Sequence, residues 1–153
     1  IEWGFAVDGD NAYFANSDVI TPNPGGLSAV RLRTGELVWY AEPPPPICAG
    51  AGVRSGFMSG CDASLPAAVS VIPGVVFSGS NDGGLRAHSA ESGEVIWLFD
   101  TNREFDTVNG VPASGGSLNA GGPVIVDGMV YVNSGYAFMG SRGGNVLLAF
   151  GLP

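Results

Sequence analysis

Apolar positions along the chain come in short bursts, broken by turns rich in Gly, Pro, Asn and Asp. Three stretches share one form: Val7-Asp8-Gly9-Asp10-Asn11-Ala12-Tyr13-Phe14, Val71-Ile72-Pro73-Gly74-Val75-Val76-Phe77 and Val126-Asp127-Gly128-Met129-Val130-Tyr131. Each is an apolar stretch, a Gly-bearing turn and an aromatic-rich stretch, which reads as a β-hairpin. No helical period of 3.6 residues persists.

A longer pattern recurs behind the hairpins. Gly26-Leu27-Ser28-Ala29 leads through Thr34-Gly35-Glu36 to Trp39, and Gly84-Leu85-Arg86-Ala87 leads through Ser92-Gly93-Glu94 to Trp97. Ala and Trp are ten residues apart in both copies. A third copy starts at Gly144-Asn145-Val146-Leu147-Leu148-Ala149-Phe150 and stops at Pro153 before any Trp. Each unit therefore predicts four short strands. They fall near 4–8, 12–16, 27–32 and 36–41, then near 67–72, 75–80, 84–89 and 94–100. The third unit has strands near 123–127, 129–134 and 145–150.

Repeated four-stranded antiparallel sheets without helices define an all-β fold, a partial β-propeller of about three blades. The expected blade units are 4–42, 67–101 and 121–153. An insertion fills 43–66, and an inter-blade loop fills 102–120. Propellers close with about four to eight blades, so three blades leave raw sheet faces. The favoured expectation is a piece of a longer protein; completion of a ring by several chains is the other.

Composition narrows the partners. The 153 residues are 45% hydrophobic, enough for a core, and only 13% charged. Fourteen acidic residues against six Arg and no Lys give a net charge of −8. A phosphate backbone or an anionic membrane surface would be repelled. No apolar run is long enough to span a bilayer. Without Lys, Schiff-base chemistry and Walker-type phosphate loops are excluded within this chain.

With Ala29, Thr34, Gly35 and Trp39, and again Ala87, Gly93 and Trp97, the repeat resembles the tryptophan-docking motif of quinoprotein propellers. Arg31 and Ser89 stand where that motif has Asp, and Ser92 replaces Thr. The stretches Phe105–Ser117, Gly128–Tyr136 and Gly144–Phe150 resemble the C-terminal region of polyvinyl-alcohol dehydrogenase-like proteins, which are pyrroloquinoline quinone (PQQ)-dependent alcohol dehydrogenases with eight-bladed propellers. The resemblance implies a C-terminal part of a periplasmic or secreted enzyme that oxidises hydroxyl groups of a small or polymeric alcohol. It implies PQQ held on the ring axis by calcium, a c-type cytochrome as a possible electron acceptor, and the parent chain's remaining blades as partners. A strand from an N-terminal part would then close the last blade. Trp39 and Trp97 are the expected blade-docking residues. A non-catalytic propeller scaffold of the outer-membrane assembly type is the alternative, and a polymer-binding module a third. This segment alone is expected to be inactive.

Several residues invite a chemical reading. Cys48 and Cys61 fit no zinc or haem spacing, and a loop-stapling disulfide is the favoured reading. They are not adjacent, so they cannot form the vicinal ring that stacks on PQQ in some quinoproteins. Asp8-Gly9-Asp10-Asn11 has calcium-like spacing, but Pro73-Gly74 and Asp127-Gly128 occupy the same place, which makes it a turn. Asn81-Asp82-Gly83-Gly84 reads as another turn. His88, the sole histidine, aligns with Val30 and Phe150, which favours a structural role. Asp100, Arg103 and Asp106 read as solvated loop charges. The Gly- and Ser-rich stretch after Asn109 offers many backbone N–H groups and little bulk. Asn109, Ser114, Gly115, Gly116 and Ser117 are therefore candidates for contact with a carboxylated planar cofactor, with a plain inter-blade loop as the competing reading. The catalytic base and the calcium ligands find no place in this chain.

Overall fold

The computed structural model describes residues 1–20, 24–48, 61–138 and 140–152. Residues 49–60 of the expected insertion and Pro153 lie outside the described residues. The described residues form strands and no helix. The first sheet contains β1 (Phe5–Asp8), β2 (Asn11–Ala15), β3 (Leu27–Arg31) and β4 (Leu37–Ala41). The second contains β5 (Ser70–Ile72), β6 (Val75–Gly79), β7 (Gly84–Ser89) and β8 (Val95–Asp100). A two-stranded hairpin, β9 (Glu104–Phe105) with β10 (Ala113–Ser114), interrupts the next connection. The third sheet has β11 (Val124–Val126), β12 (Met129–Ser134) and β13 (Val146–Phe150). Each sheet keeps chain order, every neighbour pair is antiparallel, and the stack of sheets does not close.

The repeat extends to single hydrogen bonds. Gly35 donates to Arg31 O and Gly93 to Ser89 O, both at 2.8 Å. Both glycines have positive φ, 73° and 78°, which suits a residue without a Cβ. The Thr34 hydroxyl accepts from the Glu36 N–H and the Ser92 hydroxyl from the Glu94 N–H, both at 3.3 Å. This explains why Ser replaces Thr without loss. A register shift recurs between Ala29 and Val30 and between Ala87 and His88. Such a shift bends the strand and increases its local twist.

The first two sheets meet through an apolar seam. Tyr13, Ala15, Leu27 and Ala29 of one pack with Leu65, Val69, Val76 and Ala90 on the other side, and Trp39 lies against the cluster. The Trp39 indole N–H donates to Ala90 O at 2.9 Å. A Cβ at Gly93 would come within 2.6 Å of the Trp39 ring, so the glycine of one blade's turn is the floor on which the preceding blade's tryptophan lies. β5 starts at Ser70, shorter than the expected 67–72. The residues before it are occupied in bridging blades: Ala68 N–H donates to Ala120 O at 3.0 Å, and buried Ala67 and Val69 join the interior.

Chain order separates the two ends of the sheets. In each sheet the first-to-second and third-to-fourth turns fall at one end. The second-to-third loops and all connections between sheets fall at the other, because the strands alternate in direction. That second end collects the long connections, the disulfide and most of the buried polar residues. Long loops on a rigid sheet scaffold are where binding residues concentrate.

Candidate functional site at the loop-bearing end

The starts of the three first strands converge at this end. A Cβ on Gly122 would lie 1.7 Å from Ala68 O, and one on Gly4 would lie 3.1 Å from the Ala68 side chain. The Ser70 hydroxyl donates to Pro123 O. First strands line the axis of a propeller, so this convergence marks the axial mouth. Trp3, just ahead of β1, is 46% exposed there. Its N–H donates to Asn119 Oδ1 at 2.8 Å. Phe138, from the loop between β12 and β13, meets its ring at 6.3 Å and 71°, and Tyr136 stands 6.4 Å from Phe138. Exposed Arg142 lies on the same loop.

Beneath this rim lies a buried ion pair. Arg86 Nη2 and Asp82 Oδ2 are 2.9 Å apart, with side-chain exposures of 1% and 0%. A buried pair holds only if its remaining donors and acceptors are met, and here they are. Asp82 accepts from Gly84 N–H at 2.8 Å, from Ile47 N–H at 3.0 Å and from the Ser80 hydroxyl. Arg86 Nη1 donates to Ser80 Oγ and reaches Gly84 O at 3.4 Å. Burial pushes the Asp82 carboxyl up, but the hydrogen bond and charge of Arg86, with Ser80 and Ile47, outweigh it and hold it below the ordinary range. The Ile47 bond anchors the insertion, whose Cys48–Cys61 disulfide has a Cα–Cα distance of 5.7 Å. The disulfide expected between the two cysteines is therefore present.

The structure distributes the expected cofactor-contact residues unevenly. Gly115 to Ser117 are gathered into the seam between the second and third sheets. A Cβ on Gly115 would collide with Thr101 O at 1.7 Å, and one on Gly116 with Arg142 O at 2.3 Å. Gly116 N–H donates to Ser134 Oγ at 2.9 Å, and the Thr101 and Ser134 hydroxyl oxygens lie 3.3 and 3.1 Å from Gly116 O. Buried Ser117 donates to Asn81 O at 2.7 Å and accepts from Arg142 N–H at 2.7 Å. The Ser114 N–H is held by Asn145 Oδ1 at 2.9 Å. Asn109 is separate. It caps the hairpin tip by accepting from Thr107 Oγ1 at 2.7 Å and Val111 N–H at 3.1 Å. There it lines a groove of about 600 Å³ with Phe105, Val146 and Leu148.

His88 is structural in its geometry. Gly93 O can only accept, so His88 Nδ1 carries the proton across 3.0 Å. Nε2 then faces the Ser78 hydroxyl at 2.9 Å. Burial lowers its pKa, the Gly93 bond opposes this, and the Arg86 charge lowers it further. Among the described residues no group of three or more His, Cys, Asp or Glu could hold a metal ion. No helix there is long and apolar enough to cross a membrane. Trp3, Ser141 and Arg86 carry no signal in the sequence, and Asn119 stands out only as part of the Asn109–Gly122 stretch; Trp3, Asn119 and Ser141 are joined over distances up to 116 residues, which no local spacing reveals.

A blade repeat with an indole laid on the next blade's turn glycine, and a loop end gathered at the axis, define a quinoprotein-type β-propeller. The chain belongs to the PQQ_2 family, whose model, described as outer membrane protein assembly factor BamB, matches residues 23–150. It is 41% identical over 161 residues to a polyvinylalcohol dehydrogenase of Pseudomonas sp, covering 98% of this chain and 24% of that protein. It is 36% identical to the polyvinylalcohol dehydrogenase of Sphingopyxis sp. (strain 113P3), with the same two coverages. The chain thus spans about a quarter of the length of the curated relatives it matches. The quinohemoprotein alcohol dehydrogenase of Comamonas testosteroni superposes with a TM-score of 0.56 at 22% identity, over 86% of this chain and 17% of that one. A second such enzyme, ADHIIG of Pseudomonas putida HK5, gives 0.55 at 24%, over 88% and 18%. These two likenesses speak for the fold.

Proposed function

We propose that the protein to which these three sheets belong is a PQQ-dependent alcohol dehydrogenase acting on hydroxyl groups of a polymeric or small alcohol. The observation that carries this reading is the 41% identity, running through 98% of the chain, to a protein named polyvinylalcohol dehydrogenase. The site is in keeping with it. An exposed indole at the axial mouth offers a face for a flat aromatic ligand. Arg142 brings positive charge to an otherwise acidic chain, as a carboxylated ligand requires.

When bound, PQQ supplies the acceptor for the two electrons leaving the carbinol carbon. In this reading Trp3 faces the cofactor ring. Ser114 stands at the edge of the site, and Gly115, Gly116 and Ser117 hold the wall behind it. The calcium ligands and the base that takes the alcohol proton belong to other blades. The compartment is periplasmic or secreted, and a c-type cytochrome is the electron acceptor.

The test is dye reduction by the full-length protein loaded with PQQ and calcium, using polyvinyl alcohol and a secondary alcohol. Turnover with either is expected. A protein that folds, yet neither reduces dye nor gains melting temperature on loading, would overturn the reading. It would favour a scaffold, the role printed for the family model that matches residues 23–150.

A further inference from the structure

A single-file hydrogen-bond chain runs across the loop-bearing end, and every direction in it is forced. Asn119 Oδ1 accepts from Trp3 Nε1 at 2.8 Å and from Ala120 N–H at 2.7 Å, so the amide oxygen faces both donors. Its Nδ2 must then face Ser141 Oγ, 3.2 Å away. That hydroxyl passes its proton side to Asn81 Oδ1 at 2.6 Å. Asn81 Nδ2 in turn donates to Asp62 Oδ2 at 2.8 Å. The chain ends on a carboxylate, which can only accept when ionised. Donors therefore point one way throughout, from the indole to the charge, and bonds aligned in this way polarise one another.

The members come from separate parts of the fold. Trp3 leads into the first sheet. Asn119 precedes the third, Ser141 lies in the third sheet's loop and Asn81 in the second sheet's. Asp62 follows Cys61 of the disulfide. Its other oxygen holds the Ser64 N–H at 3.0 Å and the Ser64 hydroxyl. Asn81 is 3% and Asn119 6% exposed. The one strongly exposed member is the indole at the axial mouth.

We infer that Asp62 is a positioning residue for Trp3: through Asn81, Ser141 and Asn119 it fixes the orientation of the indole ring and strengthens its N–H bond. The disulfide holds Asp62 in place for this task. The relay stands on the geometry alone. Its bearing on cofactor affinity rests on the reading that Trp3 faces PQQ.

The test uses the full-length protein without cofactor, carrying 15N-labelled tryptophan, with the Trp3 indole signal assigned by its loss in Trp3→Phe. Asp62→Ala is expected to shift that signal and to speed exchange of the Trp3 indole proton about threefold, since the Trp3–Asn119 bond keeps its partner but loses orientation and polarisation. Asp62→Asn keeps an oxygen for Asn81 and should restore most of the protection. The Trp39 and Trp97 signals should stay in place. Ser141→Ala cuts the chain without touching the insertion and should reproduce the effect if Asp62→Ala folds poorly. An unmoved Trp3 signal in both variants would overturn the inference, as would movement of all three indoles together. PQQ titration separates the two layers. A shifted Trp3 signal with unchanged PQQ affinity upholds the relay and counts against the cofactor reading.

Discussion

The two seams between neighbouring sheets use the same sequence repeat in different ways. Between the first and second sheets, Trp39 lies flat on Gly93 and bonds Ala90 O, and the rest of the contact is apolar. Between the second and third, Trp97 occupies the same repeat position but is 39% exposed, with Phe150 edge-on at 5.5 Å and Phe99 stacked at 6.0 Å. Among the described residues, that seam's cluster has Leu85, Leu118 and Val132 as its buried apolar residues, with Leu148 and Phe150 packed against them. The seam relies instead on hydroxyls and backbone groups. Ser134 donates to Thr101 Oγ1 at 2.7 Å, Thr101 to Gly83 O at 2.7 Å and Ser117 to Asn81 O at 2.7 Å. A docking tryptophan is thus half a device. The other half is the receiving turn, Ser92-Gly93-Glu94 in the second sheet, on whose glycine the Trp39 ring lies.

The largest loss should come from the buried ion pair of the second sheet, whose partners are Ser80, Gly84 and Ile47. Asp82→Ala leaves the Arg86 guanidinium buried and unpaired, at a cost of about 3–5 kcal/mol. Chemical denaturation of the full-length protein should register this as the largest single loss. A loss under about 1 kcal/mol would mean that water reaches Arg86. Replacing both residues by apolar ones of similar volume should recover much of it, since neither charge is then left alone.

The apolar seam ranks next. Trp39→Ala removes a large ring and its N–H bond and should cost about 3 kcal/mol. In residues 1–153 alone, Trp97→Ala should cost less than half as much, because its ring is 39% exposed there. Equal losses would show that the two tryptophans are docked alike, contrary to the difference between the seams.

The smallest effect is a pH slope. His88 is neutral in the folded state and its pKa is lowered, chiefly by burial. Protonation therefore favours the unfolded chain. Stability should begin to fall as pH drops below the ordinary histidine value of about 6.5, and continue falling until the folded-state His88 itself takes the proton. Asp82 adds a second loss, setting in below the ordinary carboxylate range. His88→Gln should flatten the first part of the slope and leave the second. An unchanged slope in that variant would remove His88 from the account.

The repeat was legible in sequence because it is local. A hairpin turn, a Ser or Thr before Gly, and a Trp ten residues beyond an Ala each act within one sheet, and the strands lie close to where the alternation puts them. The hairpin of β9 and β10 was missed, because two-residue strands are too short for alternation to register. The candidate site was read only in part. Asn81-Asp82-Gly83-Gly84 is the turn its composition suggests, but nothing local shows that Asp82 faces Arg86 across the strand start or receives the Ile47 N–H. Ser117 and Gly116 stood out for their small size. Their partners Thr101, Ser134 and Arg142 lie 15 to 25 residues away and carry no motif. Trp3 and Asn119, 116 residues apart, meet only because three first strands converge.

The measurement closest to the central claim is a fluorescence titration of the full-length protein with PQQ in the presence of calcium, repeated with Trp3→Ala. The account predicts saturable binding that weakens at least about tenfold in the variant, the equivalent of one lost stacking contact. Absence of binding, or equal affinity in the two proteins, would contradict a cofactor seated against Trp3 at the axial mouth.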